Sequence, residues 1–443
     1  MTDYLDIGVV QIQSWLTRTP KLRGRRGGST LISQATAPDE VRKVLDGLDG
    51  AAEINESAGR IDGVVSLILH GNREPVEQRV VQHLRDWMPA ASLSVKGFRG
   101  DTYTRARAQD PVHDEEWPAP AADWPAARPC GWCSTLPATS GRRDHDAALC
   151  VECAARDEAA GRAERKERVP FAEAELLARL GHPGAAVPDE FPKLAGLDGS
   201  ETHLALVYAD GNAIGRFITE RQKLKRRKDK TDYPAAIDDS TWHALTSAVR
   251  MIRRDGDTSL PIVPHLVGGD DVLVSVPAHR AWQFAEALLG EFHDRLGVNT
   301  GATGIQGLPT LSAGIVFHHY AVPLFQVNEL AKSLLRRAKV RTSGKAASLA
   351  WHDTTRDGRE PIDRDAITLQ TFQTYRTALS DLAALKQSAR QRLADLTRTH
   401  GGNSAEVAAH AARVGSTEVL EPFGEQLTLA DALGMTWWWH DPA

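Results

Sequence analysis

The chain has 443 residues, is 42% hydrophobic and 25% charged, and carries a formal net charge of −5, values typical of a globular protein of about two to four domains. A mildly acidic chain has no overall attraction for nucleic acid, so an RNA partner would be held only by local basic patches. No apolar run approaches the ~20 residues that cross a bilayer and no signal peptide opens the chain, so we expect a cytoplasmic protein with no membrane partner.

Residues 1–107 alternate between strand and helix patterns. Strands are predicted at residues 4–12, 62–70 and 91–98, and helices at 39–54 and 74–88. Helices that cover one face of such a sheet predict a small α+β domain.

Two basic clusters are the candidate polyanion-binding patches. One comprises Lys21, Arg23, Arg25 and Arg26, and the other runs from Arg221 to Lys230. The simpler interpretation is a solvated loop for the first cluster and a solvated helix face for the second.

A linker and a cysteine segment follow the first domain. Residues 108–129 contain five prolines and many alanines, which predicts a linker. Residues 130–195 contain all four cysteines, as Cys130-x2-Cys133 and, after sixteen residues, Cys150-x2-Cys153. This spacing is that of a four-thiolate zinc site, and two matched knuckles argue against one redox-active pair. We predict one structural zinc ion, followed by a charged helical stretch within this zinc-binding segment.

Residues 196–361 follow the order β-α-β-β-α-β of a ferredoxin-like unit, with one extra element. The strands are predicted at 203–210, 260–269, 271–277, 311–319 and 347–353, and the helices at 239–254, 281–296 and 325–339. Strand patterns are missing from residues 362–443, which predicts a C-terminal helical domain. The predicted fold class is therefore α+β, with two sheet domains, a zinc-knuckle insertion between them and a helical C-terminus.

Three carboxylates lie where strands of this unit end. In the ferredoxin-like strand order 4-1-3-2 the first strand lies beside the third, which places Asp210 next to the turn that carries Asp270 and Asp271. Clustered carboxylates without a basic partner demand a cation, and their oxygens suit Mg²⁺ or Mn²⁺. We predict that the three aspartates hold two catalytic ions of this kind. The alternative is a surface hairpin with solvated aspartates.

Glycines and lysines around these acids suggest a nucleotide site for ATP or another nucleoside triphosphate. The glycines permit tight turns and the close approach of a bulky anion. Main-chain N–H groups at the start of the following helix can receive a triphosphate, and lysines supply positive charge. The candidate nucleotide-binding residues are Gly211, Asn212, Gly215, Gly268, Gly269, Lys339 and Lys345. For the two lysines, a solvated amphipathic helix is an equally good explanation.

Four stretches, LALVYADGNAIG, HLVGGDDVLVSV, LSAGIVFHH and ELAKSLLRRAK, resemble in order the catalytic palm of the large subunit of type III CRISPR effector complexes, a relative of the GGDEF cyclases. The stretch DIGVVQIQSWLTRTPKLRGRRGGSTLIS is similar to that family's first, non-catalytic palm. The cysteine knuckles fall where the family carries its zinc element. The resemblance spans about residues 1–360.

This resemblance implies nucleotidyl transfer. The family joins ATP into 3′–5′-linked cyclic oligoadenylates, which are second messengers in antiviral defence, by attack of a ribose 3′-hydroxyl on an α-phosphate. Carried over to this chain, Asp210, Asp270 and Asp271 would hold the metal ions, and Gly268 and Gly269 would shape the nucleotide turn. RNA and other type III effector subunits are the implied partners, or a homodimer if the protein acts alone.

Two departures from the family keep other functions open. Many relatives have Asp-Gly-Asp after the first strand, where this chain has Asn212, and the missing carboxylate favours a catalytically weak or inert RNA-binding assembly subunit. Many relatives begin with an HD nuclease domain. This chain has His113-Asp114 in the linker and His145-Asp146 between the knuckles, without a long helical N-terminal domain, so we expect no nuclease.

Two further functions are less favoured by the residues around the aspartates. A GGDEF-type dinucleotide cyclase is disfavoured because Asp271 and Val272 stand where that motif has Glu-Phe. A template-directed RNA polymerase is disfavoured because Gly215 stands where such palms often have a second aspartate.

Overall fold

The fold is α+β, as the sequence predicts, with two sheet domains, a four-cysteine segment between them and helices after the second sheet. The computed structural model describes residues 1–19, 21–59, 63–119, 128–144, 146–164, 171–181, 186–197, 202–224, 232–301, 307–358 and 364–439. His145 and most of the basic cluster from Arg221 to Lys230 lie outside these described residues.

The described residues of the first sheet domain form five strands and five α-helices. Its elements are β1 (Thr2–Val9), α1 (Ile12–Thr17), α2 (Leu22–Ala35), α3 (Pro38–Leu45), β2 (Ala52–Ile54), β3 (Val64–Leu69), α4 (Arg73–Trp87), β4 (Leu93–Gly100), α5 (Tyr103–Arg107) and β5 (His113–Trp117). The strand order β2-β3-β1-β4-β5 contains the ferredoxin-like arrangement in its first four strands. Leu5 and Ile7, two residues apart on β1, are fully buried against α2, α3 and α4.

The described part of the cysteine segment contains a short hairpin and three helices. These are β6 (Arg143–Asp144), β7 (Ala147–Ala148), α6 (Val151–Glu164), α7 (Phe171–Leu180) and α8 (Phe191–Gly196). Helix α6 packs along α2 of the first domain so closely that a Cβ at Gly27 would lie 1.8 Å from the carbonyl oxygen of Arg156. The glycine in α2 therefore allows a helix contact that no larger residue would permit.

This contact corrects the interpretation of the first basic cluster as a solvated loop. The cluster lies at the start of α2, where the Arg25 side chain is buried, with the residue only 3% exposed. Arg23 forms an ion pair with Asp157 of α6 at 2.6 Å, and Lys21 pairs with Asp144. Arg25 is therefore buried, and Lys21 and Arg23 are paired with acids of the cysteine segment at the surface, so the cluster is not a solvated loop.

Strands β2 and β5 appear where the sequence predicted a helix and a linker, and a further short strand, Ile367–Thr368, lies in the segment predicted to be helical. The helix predicted over residues 39–54 ends at Leu45, because the chain reverses at Asp49 and Gly50, which have φ of 48° and 74°. Strand β2 then pairs antiparallel with β3. Strand β5 lies inside the segment predicted as a linker and pairs antiparallel with β4, while residues 120–127 of that segment are outside the described part of the chain.

The second sheet domain carries the aspartates. Its elements are β8 (His203–Gly211), α9 (Ile214–Leu224), α10 (Tyr233–Ile252), β9 (Val263–Gly268), β10 (Asp271–Pro277), α11 (Ala281–Asn299), β11 (Leu311–His319), α12 (Leu324–Thr342), β12 (Ser348–Asp353) and β13 (Ile367–Thr368). The strand order is β13-β12-β11-β8-β10-β9. Its four strands β11-β8-β10-β9 have the predicted order 4-1-3-2, and β12 is an added parallel neighbour of β11.

Helices cover both faces of this sheet. Alternate residues of β8 point to opposite faces, with Val207 packed in the cluster formed by α10 and α11, and Leu206 in the cluster formed by α12. Helix α12 lies very close to β11, since a Cβ at Gly314 would lie 2.2 Å from the carbonyl oxygen of Ala331. This close packing places the C-terminal part of α12 beside the end of β8.

Six helices follow the second sheet: α13 (Leu369–Thr374), α14 (Arg376–Ala384), α15 (Gln387–His400), α16 (Ala405–Val414), α17 (Thr417–Leu420) and α18 (Leu429–Met435). Their apolar residues share a core with α11, and Trp438 stacks on Phe317 with ring centroids 5.7 Å apart. Within the described ranges, no helix combines the length and the apolar character needed to span a bilayer.

Candidate functional site

The four cysteines converge in space. Their Sγ atoms all lie within 4.8 Å of one another, and those of Cys133 and Cys150 are 3.9 Å apart. A tetrahedral zinc ion with Zn–S bonds of about 2.3 Å places its sulfurs about 3.8 Å apart. Main-chain N–H groups of Trp132 and Cys153 point at the sulfurs of Cys130 and Cys150 at 3.4 and 3.3 Å, as expected for thiolate acceptors. The donor set fits one structural zinc ion.

The sheet register brings the strand end and the acidic turn together. Val272 of β10 pairs with Ala209 of β8, so Asp271 and Asp210 are the next residues on the two neighbouring strands. The Asp210 side chain interacts with the side chains of both Asp270 and Asp271. Three carboxylates from two distant parts of the sequence therefore meet at one edge of the sheet.

Two glycines make this approach possible. The main-chain N–H of Gly211 donates a hydrogen bond to Asp270 Oδ2 at 3.2 Å, and a Cβ at position 211 would lie 2.3 Å from the same oxygen. Gly269 has a φ of 60°, which L side chains rarely adopt. By contrast, Gly215 lies exposed in the first turn of α9, and Gly268 ends β9, with open space around both α-carbons.

The acids are buried and repel one another, so negative charge on them is unfavourable. Burial, together with the neighbouring Asp210 carboxylate, raises the pKa of Asp270 to about 6 and that of Asp271 to about 7. Both shifts mean that negative charge is costly at this edge unless a cation compensates it. Carboxylate oxygens in this arrangement are suitable ligands for Mg²⁺ or Mn²⁺.

Lys339 supplies one positive charge to the acids. Its Nζ on α12 pairs with the Asp210 carboxylate and donates to the carbonyl oxygen of Gly211 at 2.8 Å. Lys345 is exposed in the turn after α12, and its side chain makes no hydrogen bond or ion pair with any residue in the described ranges. Of the two predicted lysines, the structure brings only Lys339 to the aspartates.

Asn212 has a different place from the one its sequence position suggested. It is 1% exposed, and its Nδ2 donates to Thr310 Oγ1, Ser312 Oγ and the Ala346 carbonyl oxygen at 2.8, 2.9 and 3.2 Å. Its main-chain N–H donates a hydrogen bond to the carbonyl oxygen of Thr310. Asn212 therefore ties the end of β8 to β11, and its side chain is occupied by these hydrogen bonds within the protein.

Sequence reasoning missed Tyr208, which lies beside the acids, and Gln13, which bonds to Tyr208. Tyr208 lies on the same face of β8 as Asp210, interacts with Asp271, and accepts a hydrogen bond from Gln13 Nε2 of α1. Burial raises the pKa of Tyr208 above its ordinary value. Because Gln13 belongs to the first sheet domain, this contact joins that domain to the acidic edge. In the sequence, the two-residue spacing from Asp210 was the only indication that Tyr208 lies near the acids. Nothing in the sequence indicated a role for Gln13.

Comparison with known proteins identifies the second sheet domain. Residues 203–348 match the family model for the second palm domain of Cas10/Cmr2. No curated protein sequence matches the chain.

The whole fold is also similar to solved structures. Csm1 in T. onnurineus has a TM-score of 0.52 and 13% sequence identity, over 99% of this chain and 69% of that one. A Csm1–Csm4 cassette in complex with cA4 has a TM-score of 0.51 and 13% identity, over 98% and 69% of the two chains. The cassette in complex with AMPPNP has a TM-score of 0.50 and 12% identity, over 99% and 69%. At these identities the likeness concerns the fold alone. Residues 203–348 are thus a second palm domain of the Cas10/Cmr2 family, within a chain whose overall fold is similar to that of Csm1.

Proposed function

We propose that the protein is a nucleotidyltransferase that uses ATP and two divalent metal ions to make 3′–5′-linked cyclic oligoadenylates as second messengers in antiviral defence. The observation that carries this proposal is the meeting of Asp210, Asp270 and Asp271 at one sheet edge with Lys339 beside them.

The proposed reaction joins two nucleotides. The 3′-hydroxyl of one ribose loses its proton and attacks the α-phosphorus of a second ATP, the new P–O bond forms, the α–β phosphoanhydride bond breaks, and pyrophosphate leaves. Two divalent ions held by the three aspartates would activate the attacking oxygen and stabilise the leaving group. Lys339 is placed to stabilise the triphosphate, since its ammonium group already lies against Asp210.

The choice of adenine rests on the comparisons. Csm1–Csm4 cassettes have been solved with cA4 and with AMPPNP, an analogue of ATP. This supports ATP as the substrate and a cyclic oligoadenylate as the product. The presence of Csm4 in these cassettes also supports other type III effector subunits as partners. RNA is a further proposed partner, and a homodimer is the alternative assembly for a protein that acts alone.

The test is a product assay with the purified full chain. ATP with Mg²⁺ or Mn²⁺, with and without candidate activating RNA, should release pyrophosphate and yield cyclic oligoadenylates that mass spectrometry can identify. The variant Asp270→Ala/Asp271→Ala should yield neither. Failure of the wild type under every metal and RNA condition would overturn the proposal.

The second candidate is an inert RNA-binding assembly subunit, which the sequence suggested through Asn212 and the basic clusters. The Asn212 side chain is bonded within the protein, and Arg23 and Arg25 are engaged or buried in α2. Neither observation favours an inert subunit. RNA that copurifies unchanged with the double variant, together with a wild type that makes no product, would favour this candidate.

A further inference from the structure

The turn that carries the acidic pair is a two-residue hairpin loop. Gly268 and Asp271 are paired at the ends of β9 and β10, which leaves Gly269 and Asp270 in the loop. Gly269 has a φ of 60° and Asp270 has a negative φ, the pattern of a type II′ turn. The N–H of the first loop residue in such a turn points away from the hairpin, so the hairpin itself does not satisfy it.

That N–H group has a specific partner on another element. Asp238, in the second turn of α10, accepts it on Oδ1 at 2.9 Å. Asp238 is half-buried, and burial raises the pKa of its carboxyl group. A carboxylate that accepts a main-chain N–H forms a charge-assisted hydrogen bond, stronger than a neutral one.

We infer that Asp238 is a positioning residue for the metal site, one that fixes the orientation of the Gly269 peptide and thereby the places of Asp270 and Asp271. The inference rests on the proposed function of the acidic edge. Asp238 acts through the turn and is not assigned any contact with metal or nucleotide.

Two anchors on different sides hold the turn. Toward β8, the Gly211 N–H donates to Asp270 Oδ2 at 3.2 Å. Toward α10, Asp238 accepts the Gly269 N–H. With only the first anchor, the turn could rotate about the ends of its two strands, and a hairpin tip with a glycine has little else to resist that motion. Groups that orient metal ligands from outside the coordination sphere typically change metal affinity or activity about 10–100-fold when removed.

The neighbouring aspartate provides a matched control. Asp239 bonds to Arg179 and to Asn299, each at 3.0 Å, and these contacts hold α10 to α7 and to the end of α11. It makes no hydrogen bond to the turn. Asp239→Asn therefore removes the same charge one residue away and leaves the anchor intact.

The experiment compares Asp238→Ala, Asp238→Asn and Asp239→Asn in the full chain. Asparagine keeps a side-chain oxygen that can accept the Gly269 N–H, whereas alanine does not. Mn²⁺ binding is measured by electron paramagnetic resonance without nucleotide, and product formation is measured as a function of Mn²⁺ concentration. Thermal unfolding checks that each variant folds. If Asp238→Ala does not fold, Asp238→Ser, whose hydroxyl is too short to reach the turn, replaces it.

Asp238→Ala should weaken Mn²⁺ binding about tenfold or more, Asp238→Asn should restore most of it, and Asp239→Asn should bind as the wild type does. Wild-type binding by Asp238→Ala, or a loss in Asp238→Asn as large as in Asp238→Ala, overturns the inference. A wild type that binds Mn²⁺ but makes no product would refute the proposed function alone, because the binding comparison still decides the role of Asp238.

Discussion

The Asp270 carboxylate accepts a hydrogen bond from the main-chain N–H of Gly211, 3.2 Å away, across the gap between the end of β8 and the β9–β10 turn. The contact exists because position 211 has no side chain, since a Cβ there would lie 2.3 Å from Asp270 Oδ2 and 2.9 Å from Asp270 Cβ. The glycine after the first aspartate is therefore part of what holds the three acids together.

Gly211→Ala should separate the acids. The new methyl group would push Asp270 away from the end of β8, and displacements of about 1 Å at reacting groups can lower rates about 10²-fold. The measurement is pyrophosphate release from ATP at saturating Mn²⁺. Gly215→Ala is the control, because a Cβ at that position meets no atom within 4 Å. Equal activities of the two variants would contradict the importance of the Gly211 contact.

Lys339→Met should lower nucleotidyl transfer about 10²-fold, since it removes a preorganised positive group from the site of phosphate charge. Lys345→Met should have little effect, because Lys345 is exposed and the structure does not bring it to the acids. The initial rate at several ATP concentrations separates binding from turnover. A larger defect in Lys345→Met than in Lys339→Met would reverse this assignment.

Asn212→Asp should not improve metal binding, although it recreates the Asp-Gly-Asp pattern of many relatives. The new carboxylate would be buried beside the Ala346 carbonyl oxygen and could not donate the three hydrogen bonds of the amide. We expect a loss of about 1–3 kcal/mol in the free energy of unfolding, measured by urea denaturation, with unchanged Mn²⁺ affinity. Tighter Mn²⁺ binding would show that position 212 does face the metal site.

Acid should destabilise the sheet core around His318. Burial lowers the pKa of His318 to about 4, and the positive charges of His203 and Arg25 act in the same direction. The unfolded chain takes up this proton near pH 6.5 and the folded chain does not, so stability is lost as the pH falls from about 6.5 toward 4. Between pH 7 and 5, His318→Gln should lose about 2 kcal/mol less stability than the wild type. The free energy of unfolding is measured by urea denaturation at both pH values. Equal losses of stability in the wild type and in His318→Gln would contradict the lowered pKa of His318.

Loss of zinc should loosen the cysteine segment and its contact with the first sheet domain. Cys150 precedes α6 directly, and α6 packs along α2. Cys133→Ser removes one thiolate ligand, so bound zinc measured by elemental analysis should fall from one ion per chain to none or to a readily chelated one. Limited proteolysis of the variant should then cut within the cysteine segment. Cys133→Ser protein that retains tightly bound zinc would refute the four-thiolate site.

The strand order of the second palm domain was predictable from the sequence, because its strands are long, apolar and separated by amphipathic helices. That order alone places the end of β8 beside the β9–β10 turn. The four-cysteine cluster was likewise predictable from the spacing of the two knuckles.

Other features depend on contacts that no local pattern reveals. Helix α2 contains Gly27 and Gly28 among arginines, a local pattern that predicts a loop. In the structure these glycines allow the close packing of α2 on Arg156 of α6. The inward direction of Asn212 is set by Thr310 and Ser312, about 100 residues later in the chain. Asp238 likewise lies on a helix whose apolar stripe gave no sign of its bond to Gly269.

Diffraction from crystals grown with Mn²⁺ and a non-hydrolysable ATP analogue tests the metal site most directly. The anomalous signal of Mn²⁺ should appear at two positions, each about 2.1 Å from carboxylate oxygens drawn from Asp210, Asp270 and Asp271, with the triphosphate near Lys339. Ordered analogue with no Mn²⁺ at these aspartates, or Mn²⁺ bound with Asp210 outside coordinating distance, would contradict the account.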